Sequence, residues 1–272
     1  MLKLQLFSST NMALPLAIIV LLASGFSSLA SAQSAEEKGL TIAKERKSRD
    51  RGWSDSVAES SLILRNPRGD ETELKMRVKS LEMQNDGDKG LTIFDHPLDI
   101  RGSAFLSFTY PLKPDDQWLY LPKAKKVKRI QSKNKSSPFM GSEFAYEDMS
   151  SFEIEKFNFK YLRDENYQGQ DCFVVEQVSL DKDTGYSRSV TWIDKQHYRA
   201  QKIEFYDRKN SLLKVLTMHN YQLYLDKYWR PLELRMENQQ NGRSSDLITH
   251  SLQFKTGLSE NDFDKDSLMR AR

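Results

Sequence analysis

From residue 57 onward the chain is a succession of short alternating segments joined by short polar turns, and that pattern leaves few folds open. Leu74, Met76 and Val78 alternate with Lys75, Arg77 and Lys79. Ala104, Leu106, Phe108 and Tyr110 share one parity, with Ser103, Ser107 and Thr109 on the other. Phe157, Phe159 and Tyr161 do the same against Lys156, Asn158 and Lys160. Period two is the signature of a strand with two different faces. Turn chemistry punctuates the segments, as in Asn66-Pro67-Arg68-Gly69-Asp70, Asn85-Asp86-Gly87-Asp88, Gln168-Gly169 and Asn241-Gly242. Strands are predicted over 57–65, 71–83, 91–94, 104–110, 117–121, 157–161, 170–180, 186–194, 199–207, 211–225, 228–238 and 243–254. Links this short join antiparallel neighbours. Leu81 and Met83 break the parity of the second segment, which predicts a bulge near Ser80.

Strands do not alternate with helices, and no period of 20–50 residues recurs, so doubly wound, TIM-barrel and propeller folds are excluded. The expectation is a mainly β (α+β) fold: a large antiparallel curled sheet, or incomplete β-barrel, of about 11–12 strands. A sheet of that size curls rather than staying flat, and its inner face needs a cover. Two pieces are available. Residues 35–50 read as a helix with a narrow apolar stripe at Leu40, Ile42 and Ala43, stopped by Gly52, with Trp53 placed to pin it. Residues 138–150 form an insertion rich in Phe and Met.

Before Glu36 the only charge is Lys3. An apolar run at 14–22 and the small residues Ala30-Ser31-Ala32 follow. This is the layout of a secretory signal peptide, 1–32, and the run is too short for a confident membrane span. A single domain, 33–272, remains, and its compartment is read as the periplasm. Cys172 is the only cysteine, so no internal disulfide is available, and its place in Cys172-Phe173-Val174-Val175 reads as buried packing.

The most informative stretch is 117–150. A short strand, Gln117-Trp118-Leu119-Tyr120-Leu121, stops at Pro122. A basic run follows, with Lys123, Lys125, Lys126, Lys128, Arg129, Lys133 and Lys135 and no acid. The formal net charge of the whole chain is only +3, so this basicity is local. In an exported protein it suits anionic headgroups or a partner's acidic face rather than nucleic acid. Phe139, Met140, Phe144, Tyr146 and Met149 come next on a loop, where exposed apolar area costs about 25 cal/mol per Å². They must cover a core or a ligand. Gly141 and its neighbouring serines are read as a hinge region.

Catalytic and metal signatures are missing. His96, His197, His219 and His250 are scattered without metal-ligand spacing. There is no Gly-x-Ser-x-Gly elbow and no Gly-rich phosphate loop. Glu147-Asp148 is adjacent in sequence only. The reading is therefore not an enzyme, with no cofactor and no metal. Aromatic residues are abundant instead, with 14 Phe, 11 Tyr and 4 Trp, which suits an apolar ligand cavity inside the curled sheet. Candidate lining residues are Phe105, Phe108, Trp118, Tyr120, Phe139, Met140, Phe144, Phe157, Phe159, Tyr161 and Trp192. Lys123, Lys125, Lys126, Lys128 and Arg129 are the candidates for partner or headgroup contact.

Several motifs in order carry a resemblance. They are Asp50-Arg51-Gly52-Trp53, the stretch from Phe94-Asp95-His96-Pro97 to Arg101-Gly102-Ser103-Ala104, and Trp118-Leu119-Tyr120-Leu121-Pro122. Phe139-Met140-Gly141-Ser142-Glu143-Phe144, Tyr146-Glu147-Asp148, Trp192-Ile193-Asp194 and Tyr206-Asp207 follow. Over residues 36–268 the chain resembles the outer-membrane lipoprotein-sorting-like family, related in fold to the LolA/LolB carriers. The resemblance implies an incomplete barrel around a helix and loop cover, with a cavity for acyl chains. It implies a monomeric periplasmic carrier of a lipid or lipoprotein cargo, in transient contact with a membrane surface and linked to an inner-membrane exporter of the resistance-nodulation-division type. The alternative is a periplasmic sensor or adaptor that uses the same fold to bind a membrane protein.

Overall fold

The computed structural model describes residues 33–84 and 86–270; the expected signal peptide lies outside them. Helix α1 (Ala35–Arg49) starts at Ser34, whose hydroxyl accepts the Glu37 N–H while the Glu37 carboxylate accepts the Ser34 N–H, both at 3.1 Å. This reciprocal cap satisfies two backbone donors that a helix start leaves open. Glu36 and Glu37 in the first turn and Arg46, Lys47 and Arg49 in the last oppose the helix dipole.

Among the described residues thirteen strands then form one sheet. They are β1 (Asp55–Arg65), β2 (Glu71–Leu81), β3 (Lys89–His96), β4 (Ala104–Phe108), β5 (Asp116–Leu121), β6 (Lys126–Ile130), β7 (Phe157–Tyr167), β8 (Gln170–Ser179), β9 (Tyr186–Asp194), β10 (Ala200–Asp207), β11 (Leu212–Tyr224), β12 (Tyr228–Asn238) and β13 (Ser244–Phe254). The order is β6-β5-β4-β3-β2-β1-β13-β12-β11-β10-β9-β8-β7. Every pairing is antiparallel, and all but the central β1–β13 pair join strands consecutive in sequence. The strand beyond the expected 11–12 is β6, inside the basic run. The sheet curls but does not close: β6 and β7 are its two edges.

Register across β1–β5 assigns the faces. Leu62 pairs with Leu74, Met76 with Phe94, Thr92 with Phe105, and Phe105 with Leu119. These inner-face residues pack with Phe139, Phe144 and Tyr146 of the insertion and with Leu216 and Met236 from the other half of the sheet. The insertion therefore fills the inside of the curl and joins its two walls. Beside it, α1 lies on β7 with Ile42 and Ala43 against Phe159, Val175 and Ile193. At Gly39 an added Cβ would stand 2.7 Å from the backbone nitrogen of Tyr161, so only glycine permits this approach.

The outer face of β3–β5 is buried too. Leu91, Ile93, Ala104, Leu106 and Trp118 lie with Phe263 and Leu268 of the C-terminal segment, which ends in the short helix α2 (Lys265–Arg270). This corrects the expected bulge near Ser80. Strand β2 runs in unbroken register with β1 from Leu81 to Glu71. Leu81 and Met83 change parity because they join this outer cluster. The register shift on β2 falls instead between Lys75 and Met76, against β3.

Candidate functional site

Residues 131–156 connect the two edge strands and pass through the interior. Two short 3-10 turns, Phe139–Gly141 and Tyr146–Met149, compact this plug. Phe139 is fully buried, with its ring 5.1 Å from Phe105, 5.5 Å from Tyr146 and 6.0 Å from Phe94. The Gln117 side-chain amide donates to the Tyr146 carbonyl at 2.9 Å. On the opposite wall, Lys214 Nζ donates to the Glu143 carbonyl at 2.6 Å and the Asn238 amide to the Glu143 carboxylate at 2.7 Å. Arg243 pairs with Glu143 at 3.1 Å, and the Glu143 N–H reaches Ser245 Oγ at 3.0 Å. Apolar packing with one bond from Gln117 thus fastens the plug to β1–β6, and a set of hydrogen bonds added to the packing on Leu216 and Met236 fastens it to β11–β13.

This fastening changes the reading of Gly141. Its φ of +81° follows Met140 at +51°, a tight turn that glycine accommodates without strain. Ser142 is buried with its hydroxyl donating to the Phe139 carbonyl at 2.7 Å. The segment is a locked turn, not a hinge.

A second latch lies further along the plug. The Tyr186 hydroxyl on β9 donates to the Asp148 carboxylate at 3.0 Å, and the Ala145 N–H donates to it at 2.7 Å. Burial raises the Asp148 pKa from 3.8 to about 6, against the lowering effect of Lys214. Burial, followed by the nearby Asp148 charge, also pushes the Tyr186 phenol well up. Glu147 accepts from the Thr184 hydroxyl and the Gly185 N–H at 2.7 and 2.9 Å.

Between the plug and the second wall is a cavity of about 710 Å³, within the range of ligand pockets, roughly 300–1,000 Å³. Phe144, Phe157, Ile203, Phe205, Leu216 and Leu234 supply its apolar lining. Ile130 and Ser132 at the end of β6, and Ser179 and Leu180 at the end of β8, place it along the open seam of the sheet. Leu112 and Leu180 on its rim are 87 % and 60 % exposed, beside the exposed Lys113 and Lys182. Two smaller spaces, of about 190 and 310 Å³, share lining residues with it at Ser151 and, respectively, at Arg46 and Asp148.

The structure divides the expected lining set. Phe144 and Phe157 line the large cavity. Phe105, Phe139 and Met140 pack in the core between plug and sheet, and Phe159 and Tyr161 pack with α1. Phe108, Trp118 and Tyr120 face outward under the C-terminal segment, a correction that follows from strand parity. Trp192 also faces outward, among Cys172, Val174 and Val190, with its indole N–H donating to Glu165 at 3.0 Å. Ile203, Phe205, Leu216 and Leu234 were not anticipated as lining, although their period-two spacing on β10–β12 carried the signal.

Lys123, Lys125, Lys126, Lys128 and Arg129 are all exposed on and before the edge strand β6, and Arg129 pairs with Asp116. Lysines on an edge strand discourage pairing with another sheet. Cys172 is fully buried, and burial first, then Asp194, raises its thiol to about 11. A thiolate is thus disfavoured at neutral pH. Among the described residues, no cluster of His, Cys, Asp and Glu has the geometry to hold a metal, and no helix is long and apolar enough to cross a membrane.

Comparison with known proteins gives the family. The solved outer membrane lipoprotein-sorting protein domain from Vibrio parahaemolyticus is 59% identical, with a TM-score of 0.85, over 86% of this chain and 100% of that one. This chain belongs to the outer-membrane lipoprotein-sorting-like family. A family profile described as "Uncharacterized protein" matches residues 86–270. A DUF1329 family protein from Desulfovibrio piger is 26% identical, with a TM-score of 0.82, over 86% of this chain and 99% of that one. A LolA superfamily protein from Nitrosomonas europaea shares the fold at 21% identity and a TM-score of 0.68, over 87% of this chain and 100% of that one. No curated protein matches the chain.

Proposed function

We propose that the protein is a periplasmic carrier that holds the acyl part of a lipid or lipidated cargo inside the curled sheet. The observation that carries this reading is the 710 Å³ cavity with its apolar lining, set along the seam between the edge strands. Each buried CH₂ contributes about 0.8 kcal/mol, so a dodecyl chain gains on the order of 9 kcal/mol before ordering costs. Micromolar binding is within reach without any polar key. Leu112 and Leu180 at the rim suit contact with a membrane surface while cargo passes, and the neighbouring lysines favour anionic headgroups. The basic run on β6 would serve the same contact or meet an inner-membrane exporter. The family's name is drawn from lipoprotein sorting, and lipoprotein is one cargo of the proposed class.

Native mass spectrometry of protein purified from its own periplasm, followed by lipid extraction, tests the proposal. A discrete adduct of lipid mass is the expected result. A bare protein that also ignores added acylated ligands and apolar probes would overturn it. Co-purification of that bare protein with one membrane partner would instead favour an adaptor.

A further inference from the structure

Helix α1 turns one narrow face inward, and its residues are Gly39, Ile42, Ala43 and Arg46. The spacing i, i+3, i+4, i+7 is that of a core-facing stripe. Gly39, Ile42 and Ala43 are buried on it, as such positions require. Arg46 occupies the fourth place, where an apolar residue is the norm. It lines both the large cavity and the 190 Å³ space beside it.

The guanidinium has no hydrogen bond or ion pair to any described residue. It lies over the ring of Phe152, 4.9 Å from the centroid. Asp50 and Tyr221 are near enough to act on it electrostatically, but both are engaged elsewhere. Asp50 pairs with Arg230 at 2.5 Å, and the Tyr221 hydroxyl donates to the Ala200 carbonyl at 2.5 Å. Of the other cations around the large cavity, Lys113 and Lys182 stand exposed at the rim in water, and the three further in are paired. Lys135 pairs with Asp181, Lys156 with Asp115 and Arg188 with Glu176. Arg46 is partly buried, which makes its charge costly and lowers its pKa. The helix C-terminus offsets only part of that cost. Arginine presents five N–H donors in a planar fork that matches a carboxylate or phosphate.

We propose that Arg46 is the cavity's receptor for an acidic headgroup, and that the cargo is an anionic amphiphile bearing a carboxylate or phosphate. The inference rests on the carrier reading and goes beyond it by naming the head chemistry. The head sits at Arg46 on the side of the large cavity, because Glu82, Asp86 and Asp88 line the 190 Å³ space and not the large one, and the tail lies against the apolar lining toward Leu216 and Leu234.

The test uses the chain from residue 33, dodecanoate, dodecyl phosphate and dodecanol, each below its micelle threshold. Displacement of a fluorescent apolar probe is read at neutral pH. Both anions are expected to bind about tenfold or more tightly than dodecanol, the worth of a charged hydrogen bond. Whichever anion binds more tightly assigns the head as carboxylate or phosphate. Arg46→Gln, checked for folding by its melting curve, keeps dodecanol binding and loses the anion preference. Arg46→Lys retains part of it. Equal binding of the alcohol and the anions by the unaltered protein overturns the proposal without any variant, as does a preference that survives Arg46→Gln. Failure of all three ligands and the probe to bind removes the carrier reading and the headgroup proposal together. Binding without head preference removes only the latter.

Discussion

Asp148→Asn should stabilise the protein at neutral pH and leave it unimproved near pH 4. In the folded chain the Asp148 carboxyl titrates at about 6, against 3.8 in an ordinary setting, chiefly because it is buried. The folded state therefore holds this proton more tightly than the unfolded state does. Below pH 3.8 both states are protonated, and the group costs the fold nothing. Between 3.8 and 6 the folded state binds more protons, so stability falls as pH rises. Above 6 the whole cost is in place: about two pH units at 1.36 kcal/mol each, or ~3 kcal/mol. Asparagine carries no charge at any pH, accepts the Ala145 N–H in the same place, and gives up part of the bond from Tyr186. A net gain of roughly 1–3 kcal/mol at pH 7.5 remains after a loss of about 1 kcal/mol for that bond. The assay is urea unfolding of both proteins from pH 4 to 7.5, plotted as their difference. Asp88, raised by burial to about 6, moves both curves alike and cancels. A difference that rises with pH and levels off near 6–7 supports the argument; a flat or falling difference refutes it.

Other perturbations address the plug, the helix and the rim. Phe139→Ala should cost about 3–5 kcal/mol, since the ring is fully buried among Phe94, Phe105 and Tyr146; a melting temperature lower by roughly 10 °C is the readout. Gly39→Ala should destabilise although alanine favours helix by about 1 kcal/mol. The new Cβ would meet the Lys160 and Tyr161 backbone at 2.7–2.9 Å, so a raised melting temperature would contradict the described approach of α1 to β7. Leu112→Asp with Leu180→Asp should leave urea stability within about 0.5 kcal/mol, because both side chains are exposed. The same pair should slow loading of a fluorescent fatty acid from anionic vesicles; unchanged loading would remove the rim from the transfer route.

The fold was largely legible because alternation and turn residues are local signals. Both fail where burial has a non-local cause. Strand β6 contains Lys126, Lys128 and Arg129 and has one neighbour, so its charges hid its pairing with β5. Trp118 and Phe105 looked alike in sequence, yet they lie on opposite faces. Each face is buried by a different distant segment, the plug inside and the C-terminal residues outside. Arg46 read as one more charge on a charged helix. Only the contact of Ile42 and Ala43 with β7–β9 showed that its face turns inward.

The connectivity also decides which part of the plug can yield to a ligand. Residues 131–156 tie the two edges of the sheet together, so moving the whole segment would disturb β6 and β7 at once. Within it, 139–146 is held by Phe139, by Gln117 and by the Glu143 bonds to β11–β13. Residues 150–152 line the cavities and are held in turn by Gln117 on Ser150, by the Ser151 N–H on Thr109 and by Lys47 on the Phe152 carbonyl. Ser151 and Phe152 border both the large space and the 190 Å³ space, and Ser150 and Ser151 border both the large space and the 310 Å³ space. Opening is cheapest at the Asp148–Tyr186 latch, where the buried charge already works against the closed form, and it passes from there into the cavity-lining residues up to 152. Hydrogen exchange of the full chain with and without dodecanoate should change at 148–152 and stay constant at 139–146. Exchange that changes first around Gly141 would restore the hinge to that glycine and displace it from the latch.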